Sequence, residues 1–169
     1  VEKGLEADFS RDVLAELSAL RGPARPSGDG IRDLRERLWV SIDNDDSKDL
    51  DQLTVSETLA GGASRILVGV ADVDALVEKG SAIDVHARTN TTSVYTAAEI
   101  FPMLPEKLST DWTSLNEGED RLAVVADMVV AGDGQLGRCE LYRAAVRNHA
   151  KLAYDAVSVG FEGGSFPEK

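Results

Sequence analysis

The chain has 169 residues, 43% of them apolar, which suffices for one domain or most of one and excludes wholesale disorder. Thirty acidic residues against eighteen basic ones give a net charge of −12, which argues against a phosphate-binding surface built from lysine and arginine alone. A site that recruits divalent cations escapes this objection, because the ion then brings the positive charge. The single cysteine, Cys139, excludes an intramolecular disulfide and fits a reducing cytoplasm, with the thiol expected as a small apolar residue in a strand. No apolar run approaches the ~20 residues of a membrane span, and no signal-peptide pattern opens the chain, so no membrane partner is expected.

In chain order, residues 9–20 read as an amphipathic helix with Ser10 as N-cap and Val13, Leu14, Leu17 and Leu20 on one face. Two prolines and three glycines in residues 22–30 mark a loop. Residues 1–32 are therefore expected as a helical lead-in and linker, and residues 33–169 as the main unit. A first strand follows, in which Leu38, Val40 and Ile42 form the apolar side of a period-two pattern against Trp39, Ser41 and Asp43. Leu53 and Val55 suggest a second strand. After the Gly61-Gly62 turn signal, the apolar run of residues 66–71 predicts a buried third.

Ser81 and Asp84 have the spacing of a capping box and open a helix to about Arg88. Residues 96–118, with Pro102, Pro105 and Gly118, read as an ordered loop with short helical turns. Gly132-Asp133-Gly134 joins two strand-like runs into a hairpin, and residues 151–157 begin a further helix. The whole predicts an α+β fold, a mixed and largely antiparallel sheet with flanking helices.

One segment concentrates the chemistry. Residues 43–52 hold five aspartates, Asp43, Asp45, Asp46, Asp49 and Asp51, and end on Gln52. Carboxylates this close repel one another unless solvent or a cation screens them. An extended backbone at 49–53 would set Asp49 and Asp51 on the face of core-directed Leu53, where a carboxylate loses water and is costly unless paired or metal-bound. An EF-hand calcium loop is excluded, since its sixth and twelfth positions would be Lys48 and Thr54 rather than Gly and Glu. A solvated acidic loop and a hard-cation site both remain open on these residues alone. His86 and His149 lack metal-spaced partners and are expected to be structural. Trp39 and Trp112 are expected in the core or an interface, and Arg121 in a surface ion pair or on a phosphate.

Ile42-Asp43 followed by Lys48-Asp49-Leu50-Asp51 resembles the aspartate signature of the RNB-family exoribonucleases of ribonuclease II and ribonuclease R type. The resemblance continues in order through Val68-Gly69-Val70-Ala71-Asp72-Val73, Gly80-Ser81 with Asp84, and Ser93-Val94-Tyr95. It then takes in Pro102-Met103-Leu104-Pro105, Ser114-Leu115-Asn116, Asp120-Arg121-Leu122-Ala123 and Lys151-Leu152-Ala153-Tyr154, about residues 31–157 in all. Residues 33–169 are then similar to the N-terminal part of the catalytic domain.

The resemblance implies a 3′→5′ exoribonuclease that hydrolyses single-stranded RNA to nucleoside 5′-monophosphates. It implies a magnesium site, with manganese as substitute, held by Asp43, Asp49, Asp51 and Gln52. Asp51 and Asp49 would be catalytic, and Tyr95 would stack on the RNA. It also implies a cytoplasmic parent chain whose remainder supplies accessory RNA-binding domains and the family's downstream arginine motif, glutamate and second stacking aromatic. Two positions depart from the family: Gln52 stands where it has aspartate and Asn90 where it has arginine. The departure at Gln52 motivates an alternative, a non-catalytic or weakly active module of the same fold that binds RNA or protein. A metal-stabilised structural domain is a third expectation.

Overall fold

The computed structural model describes residues 4–165. Helix α1 (Arg11–Ala19) starts where Ser10 accepts a hydrogen bond from the Val13 amide, a serine N-cap relieving an orphan donor of the first turn. Val13, Leu17 and Leu20 face inward as expected, whereas Leu14 lies in solvent. The predicted loop 22–30 leads to β1 (Arg32–Asp33), β2 (Trp39–Asp43), β3 (Gln52–Thr58) and β4 (Ser64–Ala71), with a glycine turn at 60–62 between the last two. Gly61 and Gly62 both have positive φ there, +74° and +77°, a conformation that favours glycine.

Helix α2 (Ala82–Asn90) is capped by Ser81, whose side chain accepts from the Asp84 amide. A short hairpin of β5 (Val94–Tyr95) and β6 (Ile100–Phe101) follows, then a wide helical turn at 107–112. The predicted long hairpin is β7 (Asp120–Val130) and β8 (Leu136–Ala153), and helix α3 (Tyr154–Phe161) completes the described elements.

The sheet closes on itself. Strands β2, β3, β4, β7 and β8 pair antiparallel in succession, and β8 returns to β2 in parallel. The length of β8 makes closure possible. Its residues 136–147 bond β7 on one edge, while 144–145 and then 148–153 bond β1 and β2 on the other. Closing a sheet removes exposed edges and encloses a packed interior. That interior holds Trp39, Leu53, Leu67, Val125 and Val146, with Ala123 and Ala144 leaving room for the indole. The fold is α+β with a mixed, largely antiparallel sheet, as the sequence predicts.

Of the two sides of β2, the one led by Trp39, a residue expected in the core or an interface, faces inward rather than the aliphatic one. Trp39 and Ser41 point inward at 0% and 2% exposure, and Leu38 is 67% exposed. The indole donates through Nε1 to the Leu34 carbonyl, and Ser41 Oγ accepts from Asn148 Nδ2. One large ring and a satisfied polar pair thus outweigh the aliphatic count. The run 66–71 also alternates rather than being wholly buried, with Leu67 inside and Val70 47% exposed. A second core, formed by Val13, Val77, Ile83, Leu104 and Leu108, joins α1, α2 and the 102–112 segment.

A carboxylate-lined cleft as the candidate active site

The acidic segment joins β2 to β3 at one end of the barrel. Asp43 ends β2, and its Oδ1 accepts from the Asn44 amide and the Ser47 hydroxyl, both at 2.7 Å. Lys151, from β8, donates its ammonium to the carbonyls of Asp45 and Ser47 at 2.7 Å. This pins the turn while the side chains of Asp45 and Asp46 face solvent. Residues 48–51 are irregular rather than part of a strand. Leu50 is buried beside Leu115, so its neighbours Asp49 and Asp51 are displayed on the rim.

Both rim carboxylates line a cleft of about 400 Å³ with Val70, Ala71, Thr91, Ser93, Tyr95 and Met103. A second cleft of about 580 Å³ shares Asp49, Ser93 and Tyr95 and extends toward Lys48, Pro102 and Thr110. The Tyr95 hydroxyl donates to Asp49 Oδ2, a contact that stands between the two. Hydrogen bonding to that carboxylate is the main cause holding the Tyr95 phenol above its ordinary pKa. Tyr95 is 61% exposed, so its ring is available for stacking.

Asp51 carries the clearest electrostatic signature. Its pKa is raised, chiefly because the cleft wall strips water from a carboxylate on an otherwise accessible residue, and further because the charges of Asp43 and Asp49 oppose its ionisation. The sequence places this desolvation on an extended backbone sharing the face of Leu53, whereas it arises in an irregular segment that flanks buried Leu50. Gln52 is exposed, begins β3, lines neither cleft and lies on the strand face opposite buried Leu53. Among the described residues, no three Asp, Glu, His or Cys side chains already close on one point as a ready ligand shell. Oxygen-only, mutually repelling donors fit a hard divalent cation, and Asp49, whose Oδ2 accepts from Tyr95, would offer it Oδ1.

The remaining candidates are structural. His86 is buried between Glu6 and Asn90, at 2.9 and 3.1 Å, and against Phe9. His149 Nε2 meets the Arg35 carbonyl at 2.8 Å. Asp72 is ion-paired with Arg143 at 2.9 Å, and Cys139 is an exposed free thiol on β8. Arg121 makes the expected ion pair, with Glu119 at 3.3 Å, but from a buried position rather than at the surface. It is 6% exposed and donates to the backbone carbonyls of Ser114, Asp111 and Asp120 at 3.1 Å each. The sequence gives no sign of Arg121's burial beyond its place next to Leu122 at the start of a strand.

The sequence matches the family described as the RNB domain over residues 31–166. It is similar to Ribonuclease R of Thermotoga maritima, 35% identical over 152 residues, which cover 89% of this chain and 21% of that protein. Ribonuclease R of Escherichia coli K12 is 40% identical over 128 residues, 76% of this chain and 16% of that protein. The fold superimposes on Mycoplasma genitalium RNase R in complex with double-stranded RNA with a TM-score of 0.88 and 27% identity, covering 97% of this chain and 29% of that one. The chain therefore spans about a fifth of the curated relatives it matches. On the extent of the family match, the chain belongs to the RNB domain family.

Proposed function

We propose that residues 33–169 are the N-terminal part of a catalytic domain that hydrolyses single-stranded RNA from its 3′ end to nucleoside 5′-monophosphates, residues 1–32 being a helical lead-in. The observation that carries this reading is the placement of Asp49 and Asp51 together with Tyr95 on one cleft, where loss of water first, and the charges of Asp43 and Asp49 after it, raise the Asp51 carboxyl. Such an arrangement is costly by itself and is relieved by a cation. Asp43, Asp49 and Asp51 would hold magnesium, or manganese in its place. Gln52 could contribute an amide oxygen only by reaching round from the outer face. When bound, the ion supplies charge for phosphoryl oxygens and an acidified water for in-line displacement.

The chain's own residues account for the rest. Val70 and Met103 give the cleft an apolar side. Tyr95 presents a ring on which any base can stack, which suits degradation without sequence preference. The negative surface is consistent with accessory RNA-binding domains, in the remainder of a cytoplasmic parent chain, supplying the electrostatic affinity.

A second reading, an RNB-fold module that binds RNA or protein with little or no turnover, is favoured by one observation. The position of the family's further aspartate is a neutral Gln52 on the outer strand face. The discriminating experiment is a gel assay of the parent protein on 5′-labelled RNA. A one-nucleotide ladder that requires magnesium, disappears with EDTA and is reduced at least ~10³-fold by Asp51→Asn supports hydrolysis. RNA binding without a ladder under any divalent metal supports the module.

A further inference from the structure

We infer that buried Ser114 is the positioning residue that sets the spacing of Asp49 and Asp51. The inference rests on the proposal that these carboxylates share a divalent cation.

Ser114 is 1% exposed and lies in the segment leading into β7, 64 residues away in sequence from the loop it touches. Its Oγ accepts from the Leu50 amide at 3.0 Å and donates to the Lys48 carbonyl at 2.9 Å. The Asn116 side-chain oxygen, at 3.2 Å, is the longer alternative for the one hydroxyl proton. The next residue completes the clamp, as the Leu115 amide donates to the Leu50 carbonyl at 2.8 Å. Every backbone group that could let Leu50 rotate is thus occupied by residues 114–115. On the far side, the Asp51 carbonyl accepts from the Ala71 amide at 2.9 Å.

Ser114 is itself anchored. Its carbonyl accepts from Nε of buried Arg121, whose other donors reach the carbonyls of Asp111 and Asp120 and the Glu119 carboxylate. An irregular loop has no ladder to hold it, so two carboxylates flanking one residue keep their separation only if that residue is immobilised. The bonds to Leu50 do this without using either carboxylate, so that apart from the Tyr95 bond to Asp49 Oδ2 their oxygens stay available to a cation.

The test compares Ser114→Ala, which removes the hydroxyl, with Ser114→Thr, which keeps it, in the parent protein. Val125→Ala serves as a control that loosens the barrel core, which Leu50 and Leu115 share, without removing any hydrogen bond of the clamp. Manganese affinity is read by electron paramagnetic resonance without RNA, alongside the magnesium concentration for half-maximal cleavage and RNA affinity in EDTA. Ser114→Ala is expected to weaken manganese binding and raise the magnesium half-point about tenfold, with RNA affinity unchanged within twofold. Ser114→Thr restores both, and Val125→Ala lowers the melting temperature without moving either. Unchanged manganese affinity and magnesium half-point in Ser114→Ala overturn the assignment, whatever happens to the melting temperature. If manganese binding falls as expected while even the unsubstituted protein cuts no RNA, the positioning role stands and only the hydrolytic reading fails.

Discussion

The barrel and the segment from 91 to 113 both lie against the acidic loop, but they hold their backbones differently. In the barrel, ladder bonds run strand to strand around a closed circuit, and side chains such as Trp39 fill the interior. The 91–113 segment forms the outer wall of the cleft with a two-residue hairpin, a wide helical turn and one strained residue. Thr91, at the end of α2, has φ +61°, a left-handed conformation that is unusual for a β-branched side chain. The framework is thus regular where it carries the loop and irregular where a substrate would enter. Strain tends to sit at such places when surrounding packing over-determines them.

Breaking the barrel should cost most. Trp39→Ala is expected to lose about 4 kcal/mol, because a fully buried ring leaves a cavity and Leu34 loses its indole donor. Chemical denaturation gives the value, and a loss under about 1 kcal/mol would mean that the ring does not organise the interior.

The next effect is electrostatic. Asp127 receives Arg65 at 2.6 Å and Tyr142 at 2.9 Å, and these partners, Arg65 foremost, hold its pKa down to about 2. A depressed carboxyl stabilises the fold fully above its unfolded pKa of ~3.9 and loses that contribution as pH falls toward its folded value. Asp127→Asn should therefore cost about 2 kcal/mol near neutrality. The gap from the unsubstituted protein should narrow as pH drops from 5 toward 2.5. A gap that widens on acidification would contradict the assignment.

The cleft wall should answer in the opposite direction. Thr91→Gly relieves the positive φ at the expense of a more flexible unfolded chain, for a net gain of about 1 kcal/mol. A melting temperature that falls on this substitution would show that the threonine side chain makes up for its backbone. Together the three variants separate a framework that only loses stability from a wall that can gain it.

Much of the barrel is legible in the sequence because its hairpins are punctuated by glycine and its strands alternate. Gly132-Asp133-Gly134 and Gly61-Gly62 locate turns, and Ser10 and Ser81 locate helix starts, through local chemistry alone. The phase of β2 is not legible, because Leu38 and Trp39 are both apolar and only the partner strand decides which fits inside. Closure through β8 is hidden for a related reason, since one strand serves two partners along its length. At the site, the aspartates stand out by density and Tyr95 only by resemblance. Ser114 and Arg121 act through backbone carbonyls and amides far along the chain, and a single sequence carries no pattern for that.

Hydrolysis at this site requires that Asp43, Asp49 and Asp51 gather round one divalent cation. A crystal of the parent protein soaked in manganese tests this directly through anomalous scattering. The expected result is a peak contacted by carboxylate oxygens of all three residues at about 2.0–2.2 Å. Saturating manganese with no peak at the rim would contradict it.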